Sequence, residues 1–454
     1  MHTRALLLET CRPFMFYLPK SARRFTAGNS SCYRYHQQTT KVIGGDPMRT
    51  ARILSALTMA SAALLAPTPT LAQSEVKVGL IAPISGPWAR QGDLMVKGAN
   101  LAIEDINKAG GIKALGGAKL KLIVFDAGDS VEKAKNAAQR MVAQEPDLIG
   151  ATGAWLSSFT LGVTEVTERA ELPVLTLSYS DQITARGFKF IFQTSPTGGA
   201  QANSTLPALV KMAELATGKK PASVAIISDN TAAPLSFAKP MREGGIEKLG
   251  MKLVVNETFT PPLSDATPLI QKVRSSRPDL LLLLPTAISD DKLCLEKMHE
   301  FGLGRGRVPV VSNGAHIGAP DMLSNLGKDL LEGVMTVVAN WGAKGQEEIM
   351  KNFVAKTGEP WITQDSISTY GDMLIFKEAL EKAGAADRRK VAEAIRTMDT
   401  TTGPANYFPG GRIKFDENGR RVGADVVIVQ WQNGVPLTVY PPSSAVAEPI
   451  WPKK

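Results

Sequence analysis

Cysteine is almost absent from this chain. Three occur in 454 residues, and two of them, Cys11 and Cys32, fall within the first 32 positions. Only Cys294 lies beyond, so the body of the chain has no intrachain disulfide and no CxxC pair for zinc or redox work. Histidine is nearly as scarce, at four residues. His299-Glu300 lacks a second histidine at metalloprotease spacing, so His299 and His316 are expected in surface or capping roles and no metal or cofactor is expected. There is no P-loop and no nucleophile elbow, which removes the common routes to phosphoryl transfer and serine hydrolysis. Residues 302–306 (GLGRG) imitate a phosphate loop, but they follow a helical pattern rather than a strand, and a turn is expected. Beyond residue 72 no run reaches the roughly 18 apolar residues of a membrane helix.

Charge of one sign is also missing where it would matter. The net charge of +9 invites a polyanion partner. Residues 1–72, however, hold 9 Lys/Arg against 2 Asp/Glu, and the remaining 382 are left at +2. No nucleic-acid partner is expected. The basic segment reads as a leader. Residues 48–52 (MRTAR) form a short basic start, 53–66 (ILSALTMASAALLA) an apolar run too short to span a bilayer, and 67–72 (PTPTLA) a small-residue exit. A signal peptide is therefore expected at 48–72, with cleavage after Ala72 and 1–47 as a non-native or disordered extension. No cysteine stands at the cleavage point, so the expected product is free in the periplasm without a lipid anchor.

From residue 75 onward strand and helix patterns alternate. Apolar runs at 76–84, 119–125, 148–152 and 173–177 read as strands, and 92–109, 131–144 and 158–170 carry helical spacing. A second set follows the break at 194–199, with strands at 223–228, 253–259, 280–284 and 309–312 and helices at 235–249, 266–275 and 290–301. Five consecutive leucines at 280–284 suit a strand buried on both faces. Repeated βα units predict an α/β fold with parallel sheets, and two such sets predict two lobes. Residues 367–398 read as helical, 411–416 and 425–431 as strands, and the tail from 436 as irregular.

Ligands of open α/β sheets sit beyond the carboxyl ends of the strands. Here those ends are rich in small and hydroxyl residues with a few aromatics: 84–92 (ISGPWARQG), 153–158 (GAWLSS) and 177–181 (LSYSD). Ser157 or Ser158 can cap the helix that follows, whose free N–H groups would attract a carboxylate. Ser178 and Ser180 complete an oxygen-binding set, and Trp88 and Trp155 wall an apolar part. A plain helix cap beside a core tryptophan accounts for the same residues equally well.

Residues 78–87, 92–107, 110–112 and 183–190 resemble the periplasmic solute-binding proteins of the leucine/isoleucine/valine-binding family. The likeness spans about 75–431. It implies a type I periplasmic binding fold: two Rossmann-like lobes joined by three crossovers, near 194–196, 340 and 425, with a ligand cleft between. Lobe one would hold 75–195 plus 341–425, and lobe two 196–340 plus 426–454. It further implies a monomer without catalysis that delivers a small amino acid, carboxylate or amide to ABC permease subunits; the same fold also serves ligand-sensing regulators. By this resemblance Ser157, with Ser158 beside it, meets a carboxylate. Ser178 and Ser180 fall on the backbone-and-hydroxyl pair that grips the ligand's carboxylate and ammonium, and Gln91 stands where amino-acid binders place an aromatic. In the second lobe, Thr286 and Asn313 occupy positions where the family has an aromatic and, nearby, an acid for the ammonium. With that acid missing, either Asp229 or Asp365 serves an ammonium, or the ligand has none.

Overall fold

The computed structural model describes residues 74–451. The expected leader lies outside the described residues. Among these, no helix is long and apolar enough to cross a membrane.

The first half runs β1 (Glu75–Ala82), α1 (Ala89–Lys108), β2 (Lys119–Asp126), α2 (Val131–Gln144), β3 (Ala151–Gly153), α3 (Ser157–Arg169), β4 (Val174–Thr176) and β5 (Ile191–Gln193). The strands pair in parallel in the order β2-β1-β3-β4-β5. The chain then leaves this sheet through α4 (Gly198–Thr217) and repeats the scheme. It forms β6 (Ser223–Asp229), α5 (Ala232–Pro240), β7 (Lys252–Phe259), α6 (Thr267–Ser276), β8 (Leu280–Leu284), α7 (Ile288–Glu300), β9 (Val310–Asn313), α8 (Pro320–Leu326) and β10 (Met335–Val338). Their order, β7-β6-β8-β9-β10, is the first order again. A second crossing brings α9 (Glu347–Thr357), α10 (Gln364–Ala383) and α11 (Arg388–Arg396) back onto the first core, where Phe353, Phe376 and Ile395 are buried. After the small ladder of β11 (Asp399–Thr400) and β12 (Ile413–Lys414), a third crossing adds β13 (Val427–Gln432) and β14 (Val435–Tyr440), antiparallel, to the edge of the second sheet.

The leucine run shows why the second sheet is covered on both sides. Side chains alternate across a strand, so Leu280, Leu282 and Leu284 enter one core and Leu281 and Leu283 the other. Each buried leucine contributes roughly 1.5–3 kcal/mol. In the first lobe α1 and α10 approach closely enough that a Cβ on Gly98 would lie 2.1 Å from the Ser366 carbonyl oxygen.

Three expectations are corrected. The tail beyond 436 is not irregular at first: β14 pairs with β13, and its Val439 packs into the second core. The block 367–398 is two helices, because Gly384 takes a left-handed φ of +59° and ends α10. The strand expected at 411–416 shrinks to two residues.

Candidate functional site

The carboxyl ends of both sheets face one another across a small cavity. Its walls come from the loops after β3 (Trp155, Leu156, Ser157) and β4 (Leu177, Ser178, Tyr179) on one side. On the other stand the loops after β6 (Thr231, Ala233), β8 (Thr286) and β9 (Asn313 to His316), and Gln364 of α10 closes the end. The free space is about 40 Å³, well under the ~150 Å³ cavity that takes up benzene. A guest of amino-acid size therefore enters only if the two walls part. A larger hollow of about 530 Å³ beside Asn340 and Tyr407 is lined by helices and crossover segments rather than by facing strand ends.

The loop after β3 is strained in a way that shapes the site. Gly153 takes φ +122°, and a Cβ there would meet the Ile81 carbonyl oxygen at 2.0 Å. Ala154 and Trp155 follow with φ of +65° and +46°, each at a cost of order 1–3 kcal/mol for a residue other than glycine. Three bonds hold them. Ala154 N donates to Ile81 O at 2.6 Å, Trp155 Nε1 to Asp365 Oδ1 at 2.8 Å, and Ser178 Oγ to Trp155 O at 2.8 Å. After this turn Leu156 takes the cap position without a side-chain bond and Ser157 opens the helix, one residue before the expected start at 158.

Neither Ser157 nor Ser158 therefore caps α3, contrary to expectation. The N–H groups of Ser157, Ser158 and Phe159 find no acceptor among the described residues, as the first turn of an uncapped helix dictates. Ser157 Oγ accepts from Tyr179 N and Ser180 N, both at 3.1 Å, which leaves its proton free to donate. Together these form a cluster of donors with the positive end of a helix behind it.

Ser157, Ser178, Trp155, Thr286 and Asn313 are brought together on the cavity wall. The Ser178 hydroxyl, however, is occupied with Trp155 O and with Thr160 Oγ1 at 2.7 Å. It props the loop. Four expected residues do not line the cavity. Ser158 Oγ accepts from Ala232 N of α5 at 3.4 Å, and Ser180 Oγ lies 3.1 Å from Ser236 Oγ. Trp88 Nε1 donates to Thr286 O at 3.0 Å, and its ring meets Phe159 edge-on. All three link the two lobes or brace their rims. Gln91 is wholly buried in α1, and neither atom of its amide has a partner among the described residues.

His316 overturns the expectation of a surface role. It is 2% exposed, meets Trp155 edge-on at 6.3 Å, and sets Nε2 at 2.9 Å from Asp291 Oδ2. The approach is off the line of a straight hydrogen bond. Burial by itself would lower the imidazole pKa; Asp291 at contact, with Asp229 and Asp365 nearby, raises it on balance. Asp229 stands behind the wall, where both oxygens accept from Thr231 and Thr286, the latter at 2.6 Å. Asp365 is held by Trp155, has an unpartnered Oδ2, and is pushed up to about 7 by burial. Tyr179 donates its hydroxyl to Gln364 Oε1 at 2.5 Å, and Ala339 N donates to the same oxygen at 2.7 Å. Neither Gln364 nor His316 carried a local signal in the sequence, since each reaches the cavity only through the crossovers and the second sheet.

A family model described as periplasmic binding protein matches residues 75–435. The chain is 28% identical over 386 residues to Leu/Ile/Val-binding protein homolog 7 of Brucella melitensis, a match that covers 83% of this chain and 94% of the relative. It is similar in structure to a leucine-binding protein of Thermotoga maritima, with a TM-score of 0.67 and 21% identity over 80% of this chain and 97% of that one. A solute-binding protein of an ABC transporter from R. palustris, solved in complex with benzoate, matches with a TM-score of 0.66 and 17% identity over 84% and 100% of the two chains.

Proposed function

Because the chain belongs to the periplasmic binding protein family, we propose that it is the substrate-capturing subunit of an ABC importer. In this role it closes on a small carboxylate, an amino acid or an organic acid, and presents it to a membrane permease. The observation that carries this function is the uncapped start of α3 beside the cavity: its first three N–H groups have no acceptor among the described residues, and Ser157, whose hydroxyl proton is free to donate, lines the cavity. Such a cluster favours a carboxylate through charge-assisted hydrogen bonds. The similar proteins point the same way. One is named for leucine, isoleucine and valine, another holds benzoate, and a carboxylate is the group these compounds share.

The working division is lobe one at 75–195 plus 341–425 and lobe two at 196–340 plus 426–454. The lobes part to admit the ligand and close over it, and the chain itself performs no covalent chemistry. It acts as a monomer in the periplasm.

A thermal-shift screen of the chain from Gln73 against amino acids, aromatic acids, aliphatic acids and amides tests this function. A ligand at a hundredfold excess over its Kd adds about 2.7 kcal/mol, or about 3 °C for a chain of roughly 380 residues. Ser157→Ala should weaken the ligand about tenfold, the equivalent of one charge-assisted bond. Shifts with amides alone, or full affinity in Ser157→Ala, would refute the carboxylate site.

A further inference from the structure

Away from the facing strand ends, a separate hollow opens between α9 and β14, with free space of about 420 Å³. That is nearly three times the ~150 Å³ cavity that takes up benzene. Its few polar side-chain groups are spent on the protein itself. Trp341 Nε1 donates to Pro436 O at 3.2 Å, Trp361 Nε1 to Gly318 O at 2.9 Å, and Thr438 Oγ1 to Gly342 O at 2.7 Å. The first and third of these bonds tie β14 to the segment that leads into α9, so the walls are held in place around the space. No buried polar side-chain atom of the wall lacks a partner among the described residues. The hollow therefore offers an occupant apolar contact and asks for no hydrogen bond inside.

The rim shows the same chemistry from outside. Val354 of α9, Val435 of β14 and Val446 are 38%, 39% and 43% exposed, and all three border this hollow. Large apolar side chains gathered round one opening mark a binding surface. The opening also carries a charge. Lys351 of α9 alone among the lining residues is ionisable. Lys356, further along the same helix, is paired with Glu104, whereas Lys351 makes no ion pair among the described residues. A free ammonium at the mouth of an apolar hollow complements an anionic head on an apolar tail.

We infer that the hollow between α9 and β14 is a second ligand site, which takes a monocarboxylate with an apolar tail. The tail lies between Met350 and Leu437, and the head meets Lys351. A methylene takes up about as much space as a water in the liquid, ~30 Å³, so the hollow has room for a tail of roughly eight to twelve carbons. The Met350 thioether is flexible and adapts to tails of different shape. This chemistry differs from that of the cleft, where donors at α3 select the head group and little free space remains.

Calorimetric titration of the chain from Gln73 with hexanoate, octanoate, decanoate and octan-1-ol tests this. Each two-carbon extension should tighten binding about tenfold. Octanoate should bind at least threefold more tightly than octan-1-ol, and Lys351→Met, which keeps the stem and removes the charge, should erase that difference. Ala355→Trp sets an indole into the hollow from an exposed position on α9 and should abolish decanoate binding. Both positions are exposed, so both variants should keep the wild-type melting temperature. Decanoate that still binds Ala355→Trp as it binds wild type would place the tail elsewhere and overturn the inference. Affinity that does not grow with chain length, octan-1-ol that matches octanoate, or no binding by any of the four would overturn it as well. None of these outcomes touches the carboxylate site at α3, which is read by its own screen.

Discussion

Replacing Asp321 with asparagine should loosen the closed cleft without loosening either lobe. Arg90, in the first turn of α1, reaches three carboxylates. Two belong to its own lobe: Glu359, bound at 2.9 and 2.5 Å, and Asp93 at 2.8 Å. Lys97 supports the same pair, bonding Asp93 at 2.7 Å and Glu359 at 2.5 Å. The third partner, Asp321 of α8, lies on the other lobe and accepts from Arg90 Nε, so this bond exists only when the lobes meet. The side chains of Arg90 and Asp321 are 23% and 44% exposed, and a pair this open to water contributes about 0.5–1 kcal/mol. Asp321→Asn should therefore shift the closed-to-open ratio about two- to fivefold and raise the Kd of the bound acid by the same factor. Arg90 keeps Glu359, so no charge is orphaned and the melting temperature should stay within about 1 °C. Scattering from the unliganded chain should give a larger radius of gyration than wild type, and titration should give the Kd. Raising salt from about 50 to 500 mM shortens the screening length, so it should weaken wild-type binding and leave the variant nearly unchanged. An unchanged Kd at low salt, or a loss beyond about twentyfold, would refute the latch.

Other consequences follow from the packing and the buried charges. Gly98→Ala would drive a methyl into the Ser366 carbonyl 2.1 Å away, and should cost more than about 3 kcal/mol, a fall of about 4 °C or more in a calorimetric scan. Asp365 and Asp372 are both pushed up to about 7 by burial, against about 3.9 in the unfolded chain. Between those values the native state holds more protons than the unfolded state, so stability should fall as pH rises from about 4 to 7 and level off above. Urea titrations at several pH values should show that Asp365→Asn with Asp372→Asn flattens that slope; an unchanged slope would contradict the assignment. Cys294 is buried, and its thiol pKa is raised by burial and by Asp291 and Asp290. In the chain from Gln73 a thiol reagent should label nothing in buffer and one group in urea.

The elements that were legible are those whose period is carried by the residues alone. The run at 280–284 is β8, and 131–144 is α2, to the residue. The helix at Gly198–Thr217 was not foreseen. It contains Pro207, and although its buried positions recur at helical spacing, Gln201 and Thr205 among them are polar, so the apolar period is faint. The strand Val435–Tyr440 was taken for irregular tail because of its prolines, yet Pro436 sits at a sheet edge, where a missing N–H costs little.

By itself the sequence determined the class of fold, since alternating βα patterns and doubly buried strands leave parallel sheets as the stable solution. It also determined which strand ends of the first lobe carry hydroxyls. Only the tertiary structure decided which of those hydroxyls faces the cavity. After left-handed turns at Ala154 and Trp155, α3 opens on Ser157 with its hydroxyl proton free, while Ser178 is tied to Trp155. It alone also brought His316 and Asn313 opposite Ser157, across about 160 residues of chain. That distance is closed by crossovers between two sheets, and no local period records which loops will meet once both cores have formed.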